Sequence, residues 1–203
     1  IEYFTISLLG LIGTMIMISA NSLLMLYLGI ELLSLSLYAL IGFNKKSSLS
    51  SEAAIKYYVL GAMSSGILLF GISLIYGFTG SITYDDIASQ LINIDMNSVD
   101  YIAIIFGIIF ITASLCFKFG AAPFHMWVPD IYQGSLISTT ILLSTLPKIA
   151  VFIVFLKLYF IPFILLKEVW SDILIFVGML SIVIGSLFAL TQENIKRLLA
   201  YSA

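Results

Sequence analysis

The sequence predicts an all-α integral membrane protein with one broken transmembrane helix, and three observations support that fold class. Of the 203 residues, 61% are hydrophobic and only 10% are charged, whereas soluble domains average ~25% charged residues. Six apolar stretches approach or exceed the ~20 residues that a membrane-spanning helix needs. One of these stretches is interrupted by Gly120, Pro123 and Pro129, and proline inside a helix removes a backbone donor and clashes with the preceding turn.

Composition excludes several classes of function. The formal net charge is -2, and Arg197 is the only arginine, so we expect no nucleic-acid partner. The single Cys116 is too few for an iron–sulfur cluster, which needs about four ligands, and the single His125 cannot form a bis-histidine haem site. We therefore expect no cofactor and no metal in this chain. If the protein serves a redox machine, the electrons travel through other chains.

The first three predicted spans cover residues 3–20, 23–43 and 52–76. Residues 44–48 are polar and separate the second span from the third. Ser51 precedes Glu52 and is predicted to cap the third helix, because serine is favoured at helix N-termini. A polar connection follows from residue 77 to residue 100. Within it, Ile87, Leu91 and Ile94 have the spacing of a short helix that lies on the membrane surface.

The fourth apolar stretch is too long for one span, and we divide it into residues 101–119 and 123–132. A break inside a membrane is tolerated where the freed backbone groups are buried in protein or line a hydrated cavity. The fifth span covers residues 135–159 and the sixth covers residues 169–190. A seventh begins near residue 195. The chain starts with Ile1 and stops soon after this seventh stretch begins, so we expect a gene-split product or a piece of a longer protein.

Loop charges predict the orientation of the spans. Basic residues cluster at one end of the predicted bundle, in the second loop and after the sixth span: Lys45, Lys46, Lys196 and Arg197. The loops at the other end are mainly acidic, with Asp85, Asp86, Asp95 and Asp100. Because basic loops stay on the cytoplasmic or matrix side, we place the basic end and the N-terminus there.

Four charged side chains lie inside apolar stretches: Glu31, Lys56, Lys118 and Lys148. A charge near the centre of a bilayer costs at least ~3 kcal/mol, and such residues usually mark a path for ions or protons. Burial favours the neutral form of both lysine and glutamate, whereas an opposite charge nearby favours the ionised form. We expect a row of titratable groups near the membrane midplane, with Glu31 and Lys56 as an ion pair on adjacent antiparallel helices.

Each of these residues also has a structural interpretation. Lys56 lies near a helix end and can extend its ammonium to the membrane surface. Glu31 and Lys118 can form a purely structural ion pair, whereas Lys148 is hardest to explain without transport. His125 is either a proton relay or a hydrogen-bonded residue that fills the helix break. Lys157, near a helix end, is interpreted as a simple membrane anchor.

Several motifs carry a resemblance to a known family. The run of residues 117–134, FKFGAAPFHMWVPDIYQG, is similar to the signature of the antiporter-like membrane subunits of respiratory complex I, the NADH:ubiquinone oxidoreductase. Further similar blocks are Glu31-Leu32 with Ser34 and Tyr38, residues 53–58 with Gly61, residues 80–84 and residues 194–202. The blocks occur in order along most of the chain.

The resemblance implies an antiporter-like helical bundle of two five-helix repeats with inverted topology, each containing one broken helix. Residues 1–159 would be the first repeat and residues 160–203 the start of the second. Glu31, Lys56, Lys118 and Lys148 match the family's glutamate and lysine positions for proton translocation. Two departures stand out: residues 134–138 lack the family's usual proline-containing turn, and Pro147 directly precedes Lys148. The central lysine of a second repeat is absent.

The resemblance, with a residue choice typical of A/T-rich organelle genomes, predicts a proton-translocating membrane-arm subunit in the mitochondrial inner membrane. Expected partners are other complex I membrane-arm subunits, membrane lipids and a second chain that carries the missing helices. Two alternatives stay open, a cation/proton antiporter subunit and a non-pumping structural scaffold. Copurification with NADH-oxidising partners would separate the first alternative, and dry, paired lysines would favour the second.

Overall fold

The computed structural model describes residues 1–95 and 98–202. This part of the chain forms helices, with a 3₁₀ turn at Ile164–Leu166 and an isolated bridge between Ser22 and Thr83. In chain order the helices are α1 Glu2–Ser19, α2 Leu23–Ile41, α3 Ser48–Thr79, α4 Tyr84–Leu91, α5 Val99–Phe119, α6 Val128–Gly134, α7 Ile137–Phe160, α8 Lys167–Leu190 and α9 Ile195–Ser202. Six helical segments are long and apolar enough to cross a membrane: α1, α2, α3, α5, α7 and the stretch Ile164–Leu190. The predicted all-α membrane fold is confirmed.

Glycines lie where pairs of helices approach each other closely. A Cβ atom on Gly13 of α1 would lie 2.6 Å from the backbone nitrogen of Leu33 on α2. Likewise, a Cβ on Gly71 of α3 would lie 2.8 Å from the carbonyl oxygen of Gly107 on α5. Small residues at such crossings let backbones approach closely, which membrane helices need because lipid provides no hydrophobic force between them.

The break between the two predicted pieces of the fourth stretch is confirmed, but one predicted helix start is wrong. α3 begins at Ser48, and its N-cap is Ser47, whose hydroxyl accepts a hydrogen bond from the backbone nitrogen of Ser50 at 3.3 Å. Ser51 lies inside the helix and donates its hydroxyl to the carbonyl of Ser47. The turn at residues 44–47 leaves Ser47 in an extended conformation, so Ser47 is the first serine that can take the cap position.

The short helix predicted in the polar connection is confirmed as α4, and its position on the membrane surface stays a prediction. Its Tyr84, Ile87 and Leu91 are buried, while Asp85 and Asp86 occupy its exposed first turn. The segment before it is tied to the α1–α2 turn, because the nitrogen of Leu23 donates to the carbonyl of Ile82 at 2.9 Å. α4 therefore covers the end of the bundle where α1 finishes and α2 begins.

The contacts agree with the orientation predicted from charges. The ring of Tyr3, at the start of α1, packs against Phe43 in the α2–α3 loop with centroids 5.5 Å apart. Lys196 at the start of α9 donates to the carbonyl of Ser135 at 2.8 Å, beside the start of α7. The four basic loop residues therefore share one end of the bundle, which we call the basic end.

The division into a first repeat of residues 1–159 and a second unit of residues 160–203 stays a prediction, and Ala203 lies outside the described residues. α1, α2, α3, α5 with α6, and α7 supply the five spans expected of the first unit. α8 has only Trp170 and Val177 buried along its length, so most of its surface is uncovered in this chain.

Lys157 is more than the simple anchor that the sequence suggested. Its ammonium donates to the carbonyl oxygens of Ile18 and Ala20 at 3.0 and 2.7 Å, and to the side chain of Asn21 at 3.2 Å. The last carbonyls of a helix have no partner within the helix, and a cation there also interacts favourably with the helix dipole. Lys157 thus joins the end of α1 to the end of α7.

Replacing Lys157 with methionine keeps most of the apolar stem but removes these hydrogen bonds. We expect Lys157→Met to lower the free energy of unfolding by ~1.5–3 kcal/mol, the range for hydrogen bonds to a charged group. Thermal unfolding of the purified chain in detergent would measure the loss. Lys167→Met is the matched control, since Lys167 is exposed at the same end; equal midpoints for the two variants would contradict the capping role.

Candidate functional site

Lys118 is the most deeply buried charged residue of the described chain, with only 5% of its surface exposed. It lies in the last turn of α5, and its Nζ atom donates a hydrogen bond to the hydroxyl of Ser34 on α2 at 2.7 Å. Ser34 in turn donates to the carbonyl of Ile30 at 2.7 Å. The ammonium is therefore held inside the bundle by a hydroxyl whose own proton points to the backbone.

Gly120 ends α5 and so fixes the position of Lys118. Its φ angle of 80° lies in the left-handed region, where residues with a Cβ are disfavoured and glycine is not. Its nitrogen donates to the carbonyls of Cys116 and Phe117, and the nitrogen of Ala121 also donates to Cys116. The helix is thus closed by the backbone itself, two residues beyond the buried cation.

Protein side chains pair with two further backbone groups of the break. The indole Nε1 of Trp127 donates to the carbonyl of Phe117 at 3.0 Å, and the nitrogen of Ala122 donates to the hydroxyl of Ser181 on α8 at 2.9 Å. These bonds meet the requirement that irregular backbone at membrane depth be paired within the protein. Of the serines involved, Ser181 was not singled out from sequence, since nothing in its local pattern links it to the break.

Glu31 lies one turn before Ser34 on the same face of α2. Its carboxylate accepts a hydrogen bond from the hydroxyl of Ser65 on α3, and its charge attracts the ammonium of Lys118. The two charged groups are not in direct contact, since the ion pairs among residues 1–95 and 98–202 involve only Lys56 and Arg197 as cations. Ser34 and Ser65 thus supply the direct hydrogen bonds of this pair.

The predicted ion pair between Glu31 and Lys56 is wrong. Glu31 faces Ser65, and Lys56 lies nine residues earlier on α3, a displacement of ~13 Å at 1.5 Å per residue. Lys56 instead lies at the basic end with 45% of its side chain exposed, 2.8 Å from Glu52 and 3.2 Å from Asp130. The sequence placed the two residues on adjacent helices correctly but could not give the relative height of those helices.

Asp130 is a functional candidate that the sequence analysis did not single out. One carboxylate oxygen contacts Lys56 on α3, and the other lies 3.3 Å from Nη2 of Arg197 on α9. Arg197 also donates to the side chain of Gln133 at 3.0 Å. Asp130 therefore joins α6 to α3 and to α9. No local signal in the sequence links Asp130 to Lys56 or Arg197, which are distant from it along the chain.

Lys148 is half-buried on α7 and forms no hydrogen bond or ion pair with the described part of the chain. Its neighbour Pro147 is buried and lines a small cavity together with Ser34, Tyr57 and Lys118. The structure thus brings α7 to the Lys118 site through Pro147, whereas Lys148 does not line this cavity.

His125 lies in the break but not at the Lys118 site. It lines a separate cavity between the break, α8 and α9, and its ring is 6.0 Å from that of Tyr201. Its Nδ1 atom is buried and has no hydrogen-bond partner among residues 1–95 and 98–202. Within the same residues, no group of three or more His, Cys, Asp or Glu side chains has an arrangement that could hold a metal ion.

The arrangement around Lys118 suits a change of protonation. A dry environment favours a neutral amine, whereas the Glu31 carboxylate and the Ser34 oxygen favour the cation. Such opposed influences make the charge state responsive to small movements of either neighbour. Lys56, half-exposed and paired twice, lacks this property.

Comparisons with known proteins agree with this architecture. A family model described as NADH:quinone oxidoreductase/Mrp antiporter, transmembrane, matches residues 20–203. NADH-quinone oxidoreductase subunit N of Ruthia magnifica subsp. Calyptogena magnifica is 49% identical over 201 residues, which are 99% of this chain and 42% of the relative. Subunit N of Pelagibacter ubique (strain HTCC1062) is 45% identical over 203 residues, 100% of this chain and 42% of the relative.

Two solved structures extend the comparison. A chain of respiratory complex I from Thermus thermophilus with bound Aureothin superposes with a TM-score of 0.82 and 33% identity, over 99% of this chain and 42% of that one. A chain of the Mrp complex from Dietzia sp. DQ12-45-1b gives a TM-score of 0.82 at 22% identity, over 96% and 35%, which shows a shared fold. The present chain spans about two fifths of the relatives it matches. The family resemblance drawn from the sequence is confirmed.

Because Gly120 sets the end of α5, its replacement tests the construction of the site. In Gly120→Ala the new Cβ would lie 2.9 Å from Val128 Cγ2 and would hold a left-handed conformation that costs ~1–2 kcal/mol. We expect a lower thermal midpoint in detergent. The control is Gly66→Ala, a helical position with nothing within 4 Å, where alanine favours the helix by ~1 kcal/mol; matching midpoint shifts of the same sign would refute the assignment.

Proposed function

Since the chain belongs to the NADH:quinone oxidoreductase/Mrp antiporter transmembrane family, we propose that it forms part of a membrane-arm subunit of respiratory complex I. In this function the subunit translocates protons while the complex oxidises NADH and reduces quinone. Electron transfer takes place in other subunits, because the composition of this chain offers no set of ligands for a redox centre. The proposed partners are the other membrane-arm subunits, membrane lipids and the polypeptide that supplies the remaining helices, in the same protein or in a second chain.

One observation carries this proposal: Lys118 is buried within spanning helices, bonded to Ser34 and attracted by Glu31 without touching it. A buried cation without a direct counter-charge is energetically costly. Its presence inside a membrane helix therefore indicates a function. When the Glu31 carboxylate moves closer, the protonated amine is favoured; when it moves away, the neutral amine is favoured and a proton leaves. A change in the position of one neighbouring charge can therefore drive uptake and release.

The energy scale sets what this site must do. Moving one elementary charge against the membrane potential costs ~2.3 kcal/mol per 100 mV. Removing the Glu31 attraction from a dry ammonium changes its stability by a comparable or larger amount, since charges in low dielectric interact far more strongly than in water. We propose Lys148, half-buried on the adjoining α7, as a further station, with Lys56 at the basic end and His125 in the break as subsidiary positions.

Lys118→Ala in the assembled complex tests the proposal. We expect the complex to assemble and oxidise NADH, because the remaining Glu31 carboxylate keeps its hydrogen bond from Ser65, while protons translocated per NADH fall to half the normal value or less. The measurement is acidification of inside-out vesicles during NADH oxidation. Lys167→Ala, at an exposed position, is the control. An unchanged ratio in Lys118→Ala would defeat the proposal, and Lys148→Ala applies the same test to the second station.

A cation/proton antiporter subunit is the competing function within the family. Purification of the chain together with NADH-oxidising partners would favour the first proposal, and purification in a complex without such activity would favour the antiporter. A non-pumping scaffold is the third candidate, and the ion pairs of Asp130 with Lys56 and Arg197 fit that function. The buried position of Lys118 does not fit it, since a scaffold gains nothing from an isolated cation.

We propose separately that the protein is the mitochondrial form of this subunit. Residues 117–134 resemble subunit 2 of the mitochondrial NADH:ubiquinone oxidoreductase, and a residue choice rich in Ile, Phe, Tyr and Leu with a single arginine is consistent with an A/T-rich organelle genome. These features support placement in the mitochondrial inner membrane. The relatives compared above are bacterial, which makes a bacterial plasma membrane the competing location. Membrane fractionation of the source organism with an antibody to this chain would decide between them.

A further inference from the structure

We infer that Tyr38 is a proton-relay residue that connects the Lys118–Ser34 pair to the basic end of the bundle. The inference rests on the proposed proton-translocating function and deepens it, because it names the route by which the Lys118 proton reaches one side of the membrane. It starts from a buried hydroxyl without a partner and from a glycine that makes room for that hydroxyl.

Tyr38 belongs to the polar face of α2. Glu31, Ser34 and Tyr38 are spaced at i, i+3 and i+7, so their side chains lie above one another on one side of the helix. Glu31 and Ser34 already form the Lys118 site. Tyr38 extends the same face by one turn toward the basic end.

The Tyr38 hydroxyl is buried and has no hydrogen-bond partner within residues 1–95 and 98–202. The Ser34 side chain lies near enough to be a hydrogen-bond partner of the Tyr38 hydroxyl, but Ser34 donates its own proton to the carbonyl of Ile30. Buried polar atoms are nearly always paired, and an unpaired one calls for an explanation such as a functional role or a bound water. A relay hydroxyl must be free to change hydrogen-bond partners. The Tyr38 hydroxyl meets this condition, because no hydrogen bond from the described residues holds it.

Gly61 on α3 has no side chain and so leaves the space that this hydroxyl occupies. A Cβ atom at Gly61 would lie 1.9 Å from the Tyr38 oxygen, so any other residue there would displace it. The ring itself is fixed, because it packs edge-on against Tyr57 and Tyr58 with centroids 4.9 and 5.6 Å apart. Tyr57 then stacks on Trp127 at 4.7 Å. The ring position is thus tied to the helix break.

The position of the Tyr38 hydroxyl along the bundle also suits a relay between the buried site and the basic end. Gly61 is four residues from Ser65 and five from Lys56 on α3, which corresponds to ~6 Å and ~7 Å along the helix. Ser65 marks the level of Glu31, and Lys56 marks the basic end with its pocket lined by Glu52 and Asp130. The Tyr38 hydroxyl, beside Gly61, therefore lies about halfway along α3 between the level of Glu31 and Lys56.

The transfer balances as a movement of one proton. The Lys118 ammonium gives a proton to the Ser34 oxygen while Ser34, rotating away from Ile30, gives its own proton to the Tyr38 oxygen. Tyr38 releases its phenolic proton to water that enters from the pocket beside Lys56. Lys118 becomes a neutral amine, both hydroxyls stay neutral, and one proton has left. A hydroxyl can take part because it both donates and accepts.

Tyr38→Phe in the assembled complex is the direct test. It removes the hydroxyl but keeps the ring and its contacts with Tyr57 and Tyr58. We expect NADH-driven proton translocation to fall by about tenfold or more, since a positioned acid–base group contributes ~10²–10⁴-fold and water can replace part of it. Tyr58→Phe is the matched control, because Tyr58 belongs to the same ring cluster but is exposed; it should leave translocation unchanged.

Gly61→Ala supplies an independent arm. It pushes the hydroxyl out of its place without removing it, so translocation should fall as in Tyr38→Phe. The double variant should be no worse than either single variant, because both act on the same hydroxyl. Additive losses would show that the two positions act separately and would count against the relay.

A fluorinated tyrosine keeps the test decisive where a phenylalanine variant fails to assemble. 3-Fluorotyrosine at position 38 nearly preserves size and geometry but makes the phenol more acidic, so the hydroxyl accepts a proton from Ser34 less readily and the rate of proton translocation should change; an unchanged rate overturns the relay. Normal translocation in Tyr38→Phe alongside a loss in Lys118→Ala also overturns the relay and leaves the proposed function standing. Normal translocation in both variants would defeat the proposed function itself.

Discussion

The structure depends on one constraint, which is the need to hold the ammonium of Lys118 inside a bundle of apolar helices. Its single direct hydrogen bond goes to Ser34, and its charge partner Glu31 is held back by Ser65. A direct Glu31–Lys118 contact would be more stable, but a tightly closed buried pair resists any change in protonation. The hydroxyls of Ser34 and Ser65 instead supply the hydrogen bonds of the two charged groups. These bonds stabilise the cation, and its proton can still be transferred.

The helix break serves this same constraint. Ending α5 at Gly120 places Lys118 in a final turn, where the helix dipole favours a cation, and the aromatic chain from Trp127 to Tyr57 and Tyr38 packs beside it. The freed backbone groups are paired with Trp127 and with Ser181 of α8. The break therefore connects the buried cation both to the α2–α3 polar face and to α8.

Sequence reasoning succeeded where local chemistry decides and failed where relative helix position decides. The spans, the short helix α4 and the break followed from apolar length, spacing and the Gly120–Pro123 pattern. The burial of Lys118 followed from its apolar neighbours. The Glu31–Lys56 pair was wrong because no local signal gives the height of α3 against α2, which is set by glycine crossings and by the Ser65 contact. Asp130 and Ser181 were missed because their partners are distant in sequence.

The charged residues thus separate into two groups by solvent exposure, and this separation has a mechanical consequence. Glu52, Lys56, Asp130 and Arg197 all lie at the basic end with more than a third of each side chain exposed, and such ion pairs contribute only ~0–1 kcal/mol each. They align α6 with α3 and α9 without locking it. Because α6 follows directly from the break that positions Lys118, a small movement of α6 can reach the buried site at little cost. The weak surface pairs permit that movement, and under the proposed function the buried Glu31–Lys118 pair converts it into a change of protonation.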